Sequence, residues 1–226
     1  MKIKQILVWL LCVNYLFALD ATMEIIKNKS TLPTISYAIS TDTIIENNLD
    51  KKVLSLVKKD LLVSGHFNNN DIVIDNNYEQ IADYKVLQKN GIDLYLVLQL
   101  KKNEQDGIVV NSKLYDINSN NLVLSKSYVT NASVRYPFLS HKIAIDINNY
   151  LNAPSIEWMD KFIVFSRYLD SKTSEIVVSD YTLTYQKVVV KGGLNIFPKW
   201  ANKEQSEFYF TTYNYEKPTL VKQNLY

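Results

Sequence analysis

The chain has 226 residues, with 25 Lys and Arg against 23 Asp and Glu, 47% hydrophobic residues, 16 tyrosines, five glycines and five prolines. That length and apolar content are enough for one or two packed cores, and the scarcity of Gly and Pro excludes a long low-complexity linker. The near balance of charge excludes the basic stripe of a nucleic-acid binder.

The first residues read as a secretory signal. Lys2 and Lys4 precede an apolar run over 6–11 that resumes at Val13 and reaches Phe17 and Ala18, the charged, apolar, small-residue order of such leaders. The run is too short to span a bilayer, which takes roughly 20 residues, and Asn14 interrupts it. Cleavage is expected after Ala18, with Ala21 as the alternative, which makes the mature chain periplasmic or extracellular. Removing Lys2 and Lys4 leaves 23 basic residues against 23 acidic ones. Cys12 is the only cysteine and leaves with the leader, so neither a disulfide framework nor a cysteine metal site is expected. Leu11 before it is too large for a lipid-attachment motif.

Mixed helices and strands are expected over 33–153. A strand over 34–40 is followed by a capping box, Thr43 with Glu46, opening a helix whose apolar positions Ile45, Leu49, Val53, Leu56, Val57 and Leu61 share one face. Ser64 and Gly65 end it. A short strand at 72–74 and a helix over 84–89, closed by Asn90 and Gly91, come next. Strands over 93–100, 108–116 and 122–129 form an antiparallel meander. A last helix opens near Pro137 and buries Leu139, Ile143, Ile147 and Leu151.

After Pro154 the helical pattern stops. Short strands are expected over 162–166, 175–179 and 187–190, and strands at 208–212 and 220–223 echo the first two at an offset of about 45 residues, the period of a four-stranded propeller blade. The chain has room for about one and a half blades, so its last strands would present open edges.

Few residues invite catalytic readings. His66 follows a helix end and His141 falls on what reads as the polar side of a helix, so both are expected to be structural or solvated, because a metal site needs converging ligands. Asp42 with Glu46 and Asp170 with Glu175 are explained as helix-start and turn carboxylates. Lys51, Lys52, Lys58 and Lys59 read as a solvated basic face with Asp50 and Asp60 interspersed, with contact to an anionic membrane as the alternative. The sequence has no Gly-x-Ser-x-Gly elbow and no phosphate-binding glycine pattern. No enzyme activity and no cofactor is expected.

Several segments together resemble the TolB family of the Tol-Pal envelope system. The Pro-x-Trp run at Pro198 and Trp200, and Ser179, Asp180 and Tyr181, are similar to its blade turns, although Ala201, Asn202, Lys203 and Glu204 replace the usual Ser-Pro-Asp-Gly. The segment 62–67, Gly91 with Ile92 and Asp93, and Arg135, Tyr136, His141, Ile143, Ala144 and Asp146 resemble the family's first domain. Asn152, Ala153 and Pro154 replace its glycine-ended helix stop.

The resemblance implies an α/β amino-terminal domain with a mixed sheet and helices, followed by the first one to two blades of a β-propeller. Its divisions would be 1–18 signal, 19–32 partner-binding segment, 33–153 α/β domain and 154–226 incomplete propeller. It implies a non-catalytic periplasmic component that binds the Pal lipoprotein and the carboxy-terminal domain of TolA, supports outer-membrane integrity and envelope constriction, and serves bacteriocin import. The TolA-binding segment would be Leu19, Asp20, Ala21, Thr22, Met23, Glu24, Ile25 and Ile26. These residues favour an extended chain that can add to a sheet edge. From the residues alone, a frayed terminus or an internal edge strand of the same protein is the preferred reading. The alternative function is the non-catalytic front of a propeller-containing periplasmic hydrolase.

Overall fold

The computed structural model describes residues 32–41, 46–70, 78–103 and 106–226. The leader and cleavage sites, the segment 19–26, the capping residue Thr43 with Asp42, and the strand expected at 72–74 lie outside the described residues. Leu32–Tyr226 forms one compact unit.

Its first part is a five-stranded sheet. Strand β1 (Thr34–Thr41) leads to helix α1 (Leu49–Ser64), a two-residue strand β2 (Asn68–Asn69), helix α2 (Tyr84–Lys89), strands β3 (Leu94–Lys102), β4 (Ile108–Asp116) and β5 (Asn121–Thr130), and helix α3 (Tyr136–Tyr150). The spatial order is β2-β1-β3-β4-β5. Strand β1 runs parallel to both neighbours, whereas β3, β4 and β5 form the expected antiparallel meander. The sheet is therefore mixed, because α1 carries the chain back to pair in parallel.

Alternation along β3 decides how the layers pack. Leu94, Leu96, Leu98 and Leu100 join Val53, Val57 and Leu61 of α1 and Leu139, Ile143 and Ile147 of α3 in one core. Tyr95 and Val97 point the other way and pack with Leu87 of α2, Tyr115 and Ile117. A central strand buried on both faces reads as a continuous apolar run, and Leu94 to Leu98 is buried throughout.

Helix α1 begins later than its capping-box signal suggests. Asn47 and Asn48 have φ of 59° and 52°, and the left-handed region breaks a right-handed helix path, so the α-helix starts at Leu49. Gly65, at φ 73°, closes it with its N–H donated to the Leu62 carbonyl. At the end of α3, Asn152 takes the left-handed position at φ 52°. Asn performs there what glycine usually does.

The second part holds two antiparallel sheets of three strands. Strands β6 (Ile163–Tyr168), β7 (Ser174–Ser179) and β8 (Gln186–Val190) form one, and β9 (Asn195–Trp200), β10 (Glu207–Thr212) and β11 (Thr219–Asn224) the other. The segment 195–200 is thus a strand and not the expected turn. Pro198 is tolerated because the β9–β10 pairing is irregular there, with its register shifting between Tyr209 and Thr211. If β10 and β11 are the echoes of β6 and β7, then β9 fills a place beside β10 that has no counterpart beside β6. Likewise β8 fills a place beyond β7 that has no counterpart beyond β11. The two sheets pack through Ile176, Val178, Phe208 and Phe210. Gln205 locks them, since its side chain accepts from the Phe162 N–H at 2.8 Å and donates to the Phe162 carbonyl at 2.6 Å. The Trp200 indole donates to the same carbonyl at 3.2 Å.

Candidate functional site

A buried joint ties helices α1 and α3 to the turn between β7 and β8. His141 of α3 sits between two carboxylates, with Nδ1 2.7 Å from Asp60 Oδ2 on α1 and Nε2 3.4 Å from Asp180 Oδ2 in that turn. The side chains of all three residues are fully buried. His141 is thus structural, one of the two readings expected for it, but it lies on a buried side of α3 and not on a polar one, and the expectation that Asp60 is solvated is corrected. Asp60 occupies the core-facing stripe of α1 beside Leu56, Val57 and Leu61, where an unpaired carboxylate would be costly.

Each carboxylate has further donors. The Tyr181 hydroxyl donates to Asp60 Oδ1. Asp180 accepts the Thr182 N–H at 2.8 Å, the Tyr185 N–H at 2.6 Å and the Thr182 hydroxyl. Burial pulls the His141 pKa down, but hydrogen bonds to Asp180 and Asp60 and their charges outweigh it and raise it to about 9. Burial raises the Asp180 pKa, yet His141, Thr182 and the Tyr185 N–H lower it to about 2. Burial, and then the Asp60 hydrogen bond, pushes the Tyr181 phenol up.

Both imidazole nitrogens carry protons in this state and donate, so neither has a lone pair for a metal or for general-base work. The arrangement positions structure and does not activate a nucleophile. Aromatic contacts extend it: Phe138 of α3 lies 4.8 Å from Phe162 and 5.4 Å from Tyr185, centroid to centroid, and Trp158 lies 5.0 Å from Tyr181. Ile145, Ile156 and Met159 fill the space beside Tyr181. His141 therefore sits inside a packed junction.

The other singled-out residues are placed as follows. His66 is half-buried, with Nδ1 2.7 Å from the Asn148 side-chain oxygen. Asp170 caps its own turn by accepting from the Lys172 and Thr173 N–H groups at 2.7 and 2.9 Å. Glu175 pairs with Arg167 at 2.7 Å. Asp170 is the turn carboxylate expected, whereas Glu175 lies in strand β7 and not in the turn. Lys51, Lys52 and Lys59 are exposed on α1.

An open cleft of about 920 Å³ lies between β5, α3 and the segment after it. Lys126 crosses it to Asp146 at 2.6 Å, and the Tyr128 hydroxyl reaches the same carboxylate oxygen at 2.6 Å. Lys142 stands 3.9 Å from Asp160. These pairs tie α3 to β5 and to the segment after it. Among the described residues no group of three or more His, Cys, Asp or Glu is disposed to hold a metal ion, and no helix is long and apolar enough to cross a membrane.

Residues 21–123 match the model of the TolB amino-terminal domain. The chain is 44% identical to the Tol-Pal system protein TolB of Wolinella succinogenes, over 98% of this chain and 52% of that protein. It is 43% identical to the Tol-Pal system protein TolB of Helicobacter hepaticus, over 97% and 51%. The chain thus spans about half the length of the curated relatives it matches. The crystal structure of TolB from Acinetobacter baumannii superposes with a TM-score of 0.65 at 19% identity, covering 86% of this chain and 47% of that one. The fold is accordingly an α/β domain followed by the first blades of a β-propeller, and the chain belongs to the TolB family.

Proposed function

We propose that the chain acts as a non-catalytic adaptor of the Tol-Pal system in the periplasm. The observation that carries this reading is identity of 44% to a curated Tol-Pal system protein TolB along almost the whole chain. The buried joint is consistent with it, because His141, Asp60 and Asp180 are committed to packing three segments together with their side chains closed to solvent. In this reading residues 1–18 are the exported leader, 19–32 a partner-binding segment, 33–153 the first domain and 154–226 part of a propeller. Residues 19–26 add as a strand to the TolA carboxy-terminal domain, and the blades contribute to the surface that docks Pal. Outer-membrane integrity, envelope constriction at division and bacteriocin import are the processes this adaptor serves.

Calorimetry of the purified chain against the TolA carboxy-terminal domain and against soluble Pal tests the proposal. Saturable binding to TolA is the expected result. A chain that binds neither partner would contradict the adaptor reading.

A further inference from the structure

The burial of Asp60 changes the charge of the α1 surface. With that carboxylate committed to His141 inside the joint, it no longer offsets the lysines beside it in sequence. At about 100° per residue, Lys51, Lys52, Ser55, Lys58, Lys59, Leu62 and Val63 fall within roughly 140° of one another, opposite the buried Val53, Val57, Asp60 and Leu61. Asp50 lies off this arc. Leu62 and Val63 at its carboxy-terminal end are 60% and 56% exposed.

Two shallow grooves run along the same face. One, of about 290 Å³, is bordered by Lys51, Lys52 and Lys59 together with Tyr136 and Thr184. The other, of about 470 Å³, is bordered by Lys58, Lys59, Leu62, Asn68 and Asn69. Every charged residue on both borders, among those described, is a lysine. Three other lysines meet carboxylates instead: Lys126 with Asp146, Lys142 with Asp160 and Lys222 with Glu207. Lys51, Lys52 and Lys59 have no ion pair among the described residues.

We propose that the outer face of α1 docks on the phosphate-bearing headgroups of an anionic lipid bilayer. Lys51, Lys52 and Lys59, with no acid beside them among the described residues of this face, complement a dense anionic surface, and juxtaposed lysines gain attraction from such a surface additively. The exposed Leu62 and Val63 favour a bilayer over a purely ionic partner, because an interfacial helix sets apolar side chains below the headgroup phosphates while its lysines stay at their level. The contact is peripheral and reversible. It would hold this face against a membrane while other surfaces remain open to protein partners.

The test is vesicle sedimentation of the chain from Leu19 onward, which omits the apolar leader and leaves the compact unit Leu32–Tyr226 whole. Vesicles of phosphatidylcholine alone are compared with vesicles that also contain phosphatidylglycerol. Binding is expected only to the second, and should weaken as salt rises. The variant K51Q/K52Q/K59Q should partition roughly 100-fold more weakly, while K51R/K52R/K59R should retain binding, and both should keep the wild-type urea midpoint. Leu62→Ser should weaken partitioning several-fold. Equal binding to both vesicle types, or an unchanged triple glutamine variant, would overturn the proposal. So would full competition by inorganic phosphate, which would mark a phosphate pocket, or binding of polyglutamate in place of vesicles, which would mark an acidic protein partner.

Discussion

His141 and Asp60, 81 residues apart in the chain, meet at 2.7 Å inside the protein with neither side chain exposed. The contact joins α3 to α1, and the second nitrogen of the same ring reaches Asp180 in the turn after β7. One imidazolium therefore links three segments that are distant in sequence.

Removing that cation should be costly. His141→Gln leaves Asp60 and Asp180 buried without their shared counter-charge, and breaking a buried pair by deleting one partner costs about 3–5 kcal/mol. Urea unfolding of the variant should show a loss in that range. His66→Gln gives up one half-buried hydrogen bond and should cost about 1 kcal/mol or less. Equal effects of the two substitutions would contradict the joint.

The joint also sets a pH window. The folded His141 pKa of about 9 stands above its ordinary value near 6.5, so its contribution is fully present below about pH 6.5 and is lost as pH rises through about 9. The folded Asp180 pKa of about 2 stands below its ordinary value, so stability is present above about pH 4 and is lost as pH falls through about 2. Both titrations report one shared interaction and are not additive. The wild-type advantage over His141→Gln in urea midpoint should be widest between about pH 4 and 6.5 and shrink by pH 9. An advantage that grows toward pH 9 would reverse the sign.

At the end of α3, Asn152 at φ 52° should accept glycine and resist β-branched residues. Asn152→Gly should be neutral or slightly stabilising, and Asn152→Val should cost about 1–2 kcal/mol, the strain of a left-handed backbone. Thermal unfolding of the two variants separates these outcomes.

Periodic burial made much of this fold legible. The stripe of α1, the apolar run Leu94 to Leu98 of β3 and the meander β3-β4-β5 follow from side-chain spacing alone. Strand β2 was not legible, since Asn68 and Asn69 have no strand propensity and are held beside β1 by main-chain bonds to Pro33 and Ile35 and by the Tyr37 hydroxyl donating to the Asn69 side-chain oxygen. Strand β9 was hidden by Pro198, which signals a turn unless the register shift in its partner is known. The joint left one cue: Asp60 falls on the apolar stripe of α1, and His141 lies among Phe138, Leu139, Ile143, Ala144 and Ile145 of α3, all of them buried. An acid on one buried face and a base on another suggest a pair, but only the tertiary fold brings residues so far apart together.

In the proposed adaptor, the amino-terminal segment 19–26 would carry the binding of TolA. The direct measurement is calorimetric affinity for the TolA carboxy-terminal domain, for the chain beginning at Leu19, a version beginning at Asn28, and the variants Met23→Pro and Glu24→Pro. Strand addition draws its affinity from main-chain hydrogen bonds, with Thr22 and Glu24 on one face and Met23 and Ile25 on the other. Loss of binding in the shortened version is expected, with a stronger defect for proline than for alanine at whichever of the two positions donates to the ladder. The urea midpoint of the compact unit Leu32–Tyr226 should stay unchanged. Undiminished affinity in the version beginning at Asn28 would contradict the account.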